Sequence, residues 1–193
     1  WWMYQFEGTG YQSWLEGHEP YSNTNCGPTC TAMVINYFKD KEVSSRCEES
    51  RINPDYPIYC YARWNYCRAN GHINGFYNSD WSYPGATTSQ IQYVLSVEGI
   101  CSHAVVGYEC KNDGTGIRHI QNAIDQGKIC ICLVAPKYYR EDVTKYFSHW
   151  TTVYGYDDEY VYLNDPGYHD GQGFRAKISD FADALWLVKE IST

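Results

Sequence analysis

Apolar residues recur at helical spacing in three segments of the chain. The first segment lies at about 26–39, and its predicted buried face holds four residues spaced i, i+1, i+4 and i+5: Met33, Val34, Tyr37 and Phe38. The second runs from Thr88 to a glycine stop at Gly99, and the third covers 116–126 before Gly127. A further helix fits 56–68, and a short one fits 179–184.

Other apolar segments alternate with period two or form short continuous runs, which indicates strands. Six strands are predicted, at about 103–109, 129–134, 149–156, 159–163, 173–178 and 185–190. A turn at Asp157 and Asp158 makes two of them an antiparallel pair, and Cys130 and Cys132 point to one face of their strand. Helices leading and an antiparallel sheet trailing predict an α+β fold. No repeat or linker divides the chain, so we expect a single domain over 1–193.

The overall composition excludes two classes of partner. The chain has 193 residues, 44% of them apolar and 20% charged, and no apolar run approaches 18 residues, which argues against a membrane span. The net charge is −8 and the basic residues are scattered, which disfavours binding to a phosphate backbone. We therefore expect a soluble globular protein that does not bind nucleic acid.

Nine cysteines are many for a reduced intracellular protein of this size, and the number is odd. Eight can pair and one cannot, which suits a secreted protein with up to four disulfides and one free thiol. The pairing cannot be read from the sequence. The chain begins Trp1-Trp2-Met3 without a basic and apolar leader, so any export signal is removed or lies upstream. We expect an extracellular protein, and a bacterial one.

One of these cysteines stands at the start of the first predicted helix, in Asn25-Cys26-Gly27-Pro28-Thr29. The unpaired N–H groups and the positive end of the helix dipole favour a thiolate there, and the thiolate is the reactive form of cysteine. We therefore interpret Cys26 as a nucleophile. The alternatives are a structural disulfide, for instance with Cys30, or an inert buried thiol.

A cysteine nucleophile needs a base, normally an imidazole that a third polar group holds in place. His149 opens one strand of the predicted hairpin, and Asp165 closes the other, so both lie near the same end of adjacent strands. His149 is therefore the predicted base and Asp165 its orienting partner. The alternatives are a structural sheet histidine and a turn residue before Pro166.

Together these motifs carry a family resemblance that covers most of the chain. Cys26-Gly27-Pro28-Thr29 opening a helix, Ser148-His149-Trp150 on a strand and Leu163-Asn164-Asp165-Pro166 after the hairpin resemble the papain-like peptidases that cut double-glycine leader peptides. More narrowly, the chain is similar to their secreted, free-standing relatives, the C-thirty-nine-like group. The resemblance implies a papain-like fold, a peptide or protein substrate and a thioester acyl-enzyme, with Cys26 as nucleophile, His149 as base and acid, and Asp165 as orienter.

The resemblance also implies an upstream glutamine as oxyanion donor. Gln12 is the natural match and Gln5 its rival, although Gln12 lies 14 residues before Cys26, further than is usual in papain-like enzymes. A longer surface loop costs only about 0.6 kcal/mol per doubling of its length. The backbone N–H of Cys26 is the other expected donor.

Other chemistries fit the sequence less well. There is no CxxC pair, and the CxxxC at Cys26 and Cys30 lacks a matching histidine pair, so we do not expect a zinc site. The predicted triad implies no cofactor. The same triad could serve an amidase acting on cell-wall peptides or an acyltransferase, because acyl transfer to water or to an amine uses the same groups. A non-catalytic binding or structural module on the same fold is the remaining alternative.

Overall fold

A computed structural model describes residues 2, 26–39, 87–106, 114–145 and 147–192. The chain forms two compact units, Trp1–Ile100 and Cys101–Thr193, and each is considered by itself. Several predictions lie outside the described residues: the helix at 56–68, Gln5, Gln12, and the cysteines Cys47, Cys60, Cys67 and Cys110.

The first unit contributes two helices that pack together, α1 (Cys26–Lys39) and α2 (Thr88–Val97). Both match the sequence pattern, and Gly99 ends the turn after α2 with a φ of +66° while the Ile100 N–H bonds back to the Leu95 carbonyl at 2.9 Å. The predicted buried face of α1 is wrong at Tyr37, which is 50% exposed. Burial is concentrated in the first turns of α1, on all of its sides, and fades in the last turn, so the helical spacing alone misjudges its C-terminal end.

The second unit is a six-stranded antiparallel sheet with helices on it, which confirms the α+β prediction. Its strands are β1 (Cys101–Val106), β2 (Ile129–Val134), β3 (His149–Tyr156), β4 (Tyr160–Asn164), β5 (Phe174–Lys177) and β6 (Leu185–Ser192). Their order across the sheet is β1-β6-β2-β3-β4-β5, and every pairing is antiparallel. The predicted bounds agree closely except for β1, which begins two residues earlier than expected, at Cys101.

Two helices cover one face of this sheet, α3 (Thr115–Asp125) and α4 (Ile178–Ala184). The core between them contains Cys130 and Cys132, which confirms that these two side chains share a face. Between β2 and β3 the chain makes a 3₁₀ helix, Pro136–Tyr138, that packs against α4. This short helix brings the residues that follow it to the end of the sheet where β3 begins.

The opposite face of the sheet carries buried polar groups. Lys189 pairs with Ile131 of β2 and is fully buried, and its Nζ atom has no hydrogen-bond partner. Thr152 lies on the same face, and its hydroxyl is likewise buried without a partner. In the described part of the chain, no helix is long and apolar enough to cross a membrane.

The cysteines do not follow the expected count. No disulfide joins any two of the described cysteines, and Cys101 and Cys130 carry free thiols. Two free thiols among nine cysteines leave seven, enough for three bridges at most, so the expectation of up to four bridges and a single free thiol is wrong. The odd number of cysteines is therefore no argument that Cys26 is the unpaired one.

Candidate active site

The hairpin of β3 and β4 brings two of the predicted site residues together. Its turn forms at Asp157 as predicted, where one carboxylate oxygen accepts hydrogen bonds from the backbone N–H groups of Glu159 and Tyr160 at 2.8 and 2.7 Å. Thr152 pairs with Asn164, so an antiparallel register continued past the strand ends places the residues after Asn164 opposite His149. The hairpin thus places Asp165 and its neighbours beside His149, the first residue of β3.

His149 and Asp165 form a buried pair. The Nε2 atom of His149 lies 2.6 Å from Oδ1 of Asp165, and the two residues are 4% and 0% exposed. Because an ionised carboxylate can only accept, Nε2 is the donor in this contact. In the neutral ring, Nδ1 is then the nitrogen that accepts a proton. This is the geometry expected of a general base held in one tautomer by a carboxylate.

Asp165 has two further donors around its carboxylate. The backbone N–H of Gly167 donates to Oδ1 at 3.1 Å, and the hydroxyl of Tyr139 donates to Oδ2 at 3.0 Å. The backbone N–H of Asp165 itself donates to the carbonyl of Gly171 at 2.8 Å. Both carboxylate oxygens and the main chain of Asp165 are therefore fixed by neighbours within the second unit.

Two glycines allow the chain after Asp165 to fold this tightly. A Cβ atom on Gly167 would lie 2.8 Å from Cε1 of His149 and 3.1 Å from Nε2, well inside contact distance. At Gly171 a Cβ atom would lie 1.9 Å from the backbone oxygen of Asp165, which no side chain can tolerate. Only glycine lets these two positions approach the His149–Asp165 pair so closely.

Arg140 and Tyr168 stabilise the connection between β4 and β5, the segment from Asn164 to Phe174. Arg140 lies over the rings of Tyr168 and Phe174, at 3.7 and 4.3 Å from their centres, and its guanidinium donates to Asp170 at 2.5 Å. Burial is the largest single effect and lowers the pKa of Arg140, but the hydrogen bond to Asp170 and the charges of the nearby carboxylates together outweigh it, so the net pKa is raised. The Tyr168 ring in turn meets the His149 ring edge to face, with the centres 6.1 Å apart.

Tyr139 was not identified from the sequence. Burial, followed by the charge of Asp165, raises the pKa of its hydroxyl well above the ordinary value, so it remains a protonated donor. The position of Tyr139 in the site follows from the order of the strands in the sheet and not from a local sequence motif. Val134, the last residue of β2, pairs with His149, so residues shortly after β2 must lie at the same sheet end as the imidazole.

The other predicted site residues, Cys26 and Gln12, precede the second unit in the chain. Cys26 is the first residue of α1 in the first unit and is 7% exposed. Cys30, one turn later, is fully buried, and the Thr31 hydroxyl bonds to the carbonyl of Gly27 at 2.9 Å. Gln12 lies outside the described residues. Within the described segments no group of His, Cys, Asp and Glu is arranged to hold a metal ion.

Comparison with known proteins identifies a family. The model of the Peptidase_C39 like family matches residues 6–188, which supports a cysteine peptidase. No curated protein matches the sequence.

Two solved structures are similar over most of their length. The peptidase domain of Streptococcus ComA, a bi-functional ABC transporter involved in a quorum sensing pathway, is 14% identical, with 87% of this chain and 90% of that chain covered and a TM-score of 0.49. A double glycine motif protease from an AMS/PCAT transporter, solved in complex with the leader peptide, is 15% identical, with 87% and 84% covered and a TM-score of 0.46.

Proposed function

Because the chain belongs to the Peptidase_C39 like family, we propose that it is a cysteine peptidase that cleaves peptide bonds through Cys26, His149 and Asp165. The observation that carries the proposal is the buried contact of 2.6 Å between His149 and Asp165. That contact supplies an oriented base, and the family match spans the cysteine at the start of α1.

The proposed reaction proceeds in two acyl transfers. The Nδ1 atom of His149 takes the proton of the Cys26 thiol, and the sulfur attacks the carbonyl carbon of the scissile peptide bond. The tetrahedral intermediate collapses to a thioester on Cys26 as the imidazolium gives its proton to the departing amine. Water, deprotonated by the same imidazole, then attacks the thioester and releases the acid and the thiol. Asp165 keeps Nε2 protonated throughout.

Several further features belong to the proposal. We place the oxyanion between the backbone N–H of Cys26 and the side-chain amide of Gln12, where removal of one donor typically costs about 10²–10³ in rate. The substrate is a peptide or an unfolded protein segment. The chain acts as one peptidase domain outside the cell, and any disulfides it forms involve cysteines other than Cys101 and Cys130.

Alkylation of Cys26 tests the nucleophile and the base together. Iodoacetamide should label Cys26 of the native protein faster than the same cysteine in denatured protein, and His149→Ala should remove this advantage. His103→Ala is the matched control, because His103 is an exposed histidine on β1 of the same unit. Equal labelling of native and denatured Cys26 contradicts the proposal.

The other described cysteines set the background of this experiment. Cys101 is exposed and should label slowly in every variant, so the series is made on a Cys101→Ser background. Burial raises the pKa of Cys130 to about 12, so this thiol should label only after denaturation and reports that the fold is intact. Peptide mass spectrometry assigns each label. Hydrolysis of internally quenched fluorescent peptides and of cell-wall peptides is then compared. Cleavage of the former indicates a peptidase, and cleavage of the latter alone indicates an amidase with the same triad.

A further inference from the structure

We propose that Tyr139 is a positioning residue that holds the Asp165 carboxylate in the one rotation that presents Oδ1 to His149. The inference rests on the proposed function, because it assigns Tyr139 a part in the orientation of the proposed base. It is drawn from the three donors that surround the carboxylate and from the packing that fixes Tyr139 itself.

The three donors divide unequally between the two carboxylate oxygens. Oδ1 receives both the Nε2–H of His149 at 2.6 Å and the N–H of Gly167 at 3.1 Å. Oδ2 receives the hydroxyl of Tyr139 at 3.0 Å. A carboxylate turns easily about the bond that joins it to Cβ, since this torsion has a broad energy profile. The Tyr139 hydroxyl is the donor on Oδ2, so it opposes this rotation together with the two donors on Oδ1.

Tyr139 is itself held rigidly enough to do this. It is 8% exposed, and its ring packs against Phe174 and Phe181 with centre-to-centre distances of 6.1 and 5.5 Å. Its backbone N–H closes the 3₁₀ helix by donating to the carbonyl of Pro136 at 3.0 Å. A donor fixed by both its ring and its main chain can transmit its position to the carboxylate.

The competing explanation is that the Tyr139 hydroxyl only stabilises the fold by satisfying a buried carboxylate oxygen. The variant Tyr139→Phe removes the hydroxyl and keeps the ring, so the packing on Phe174 and Phe181 is retained. Tyr156→Phe is the matched control. Tyr156 also donates its hydroxyl to a carboxylate, Oδ1 of Asp125 at 2.8 Å, but does so at the other end of β3 from His149.

The kinetic measurement compares both variants with the wild type. We expect Tyr139→Phe to lower kcat and the rate of Cys26 alkylation by about tenfold, with KM unchanged, because a bond to a charged group is lost from the orienting carboxylate alone. Tyr156→Phe should keep both rates within twofold. If Tyr139→Phe keeps wild-type rates, or changes them no more than Tyr156→Phe does, the positioning role is refuted.

A second measurement does not depend on peptidase activity. The Nε2-bound proton of His149, observed by NMR with labelled histidine, should exchange with water about tenfold faster in Tyr139→Phe than in the wild type, while Tyr156→Phe leaves it unchanged. An unchanged exchange rate in Tyr139→Phe overturns the inference. If the wild type proves inactive and Cys26 unreactive, the proposed function fails, but this signal still decides whether Tyr139 positions the Asp165–His149 pair.

Discussion

Adding one methyl group at Gly167 should disable the proposed base without unfolding the protein. The Cβ of Gly167→Ala would lie 2.8 Å from Cε1 of His149 and 3.5 Å from Oδ1 of Asp165. Since two carbon atoms pack no closer than about 3.5 Å, the imidazole must move by about 0.7 Å or the chain at residue 167 must move instead. The second option is restricted, because the Asp165 N–H is bonded to the Gly171 carbonyl and Gly171 has no free space.

The expected loss follows from that displacement. A misplacement of about 1 Å in a reacting group can cost on the order of 10²-fold in rate, and a weakened hydrogen bond to a charged group costs about 1.5–3 kcal/mol, or roughly 10–100-fold. We therefore expect kcat/KM to fall by between about 10- and 100-fold, with the larger share in kcat. The rate of Cys26 alkylation should fall in parallel, and it needs no knowledge of the substrate.

The control is the same substitution elsewhere on the hairpin. In Gly155→Ala the new Cβ would lie 3.2 Å from a ring carbon of Tyr162, a tight contact on the far part of β3 from His149. It should lower the urea midpoint as much as Gly167→Ala does and leave both rates near wild type. A folded Gly167→Ala protein with wild-type rates, or equal losses in the two variants, would refute this explanation.

Two stability predictions concern buried charges in the second unit. Arg140→Met loses the stacking on Tyr168 and Phe174 and the bond to Asp170. We expect the free energy of urea unfolding to fall by only about 1–2 kcal/mol, because the exposed Asp170 can rehydrate. An unchanged urea midpoint contradicts this. Burial lowers the pKa of Lys189 from 10.5 to about 8, so between these pH values the folded state has lost a proton that the unfolded chain keeps, and stability rises with pH. Lys189→Met should stabilise the protein at pH 7 by up to about 3 kcal/mol and remove that rise.

The secondary structure could be predicted where the signal is local. Helix α1 begins and ends where the pattern places it, and β2 matches the apolar run at 129–134. Tyr37 was misjudged, since helical spacing says which residues share a face but not where along the helix solvent begins. The start of β1 was missed because its pairing with β6, distant in sequence, decides its first residue.

The His149–Asp165 pair could be predicted because a hairpin links its two members. A tight turn at Asp157 and an antiparallel register are enough to bring a residue at the start of β3 to one just after β4. Tyr139 could not be found this way, since it enters the site through the pairing of β2 with β3. No short-range pattern specifies that β2 rather than another strand lies beside β3.

The segment after β2 therefore has a larger part in the proposed site than its sequence indicates. Two consecutive residues there act on the connection from Asn164 to Phe174: Tyr139 bonds to the Asp165 carboxylate, and Arg140 stacks on Tyr168 and bonds to Asp170. Gly167 and Gly171 also close this connection through backbone hydrogen bonds, and these contacts lie within the second unit. The orientation of the His149 imidazole is thus fixed before a substrate arrives, which is what a base needs if it is to take a proton without a costly rearrangement.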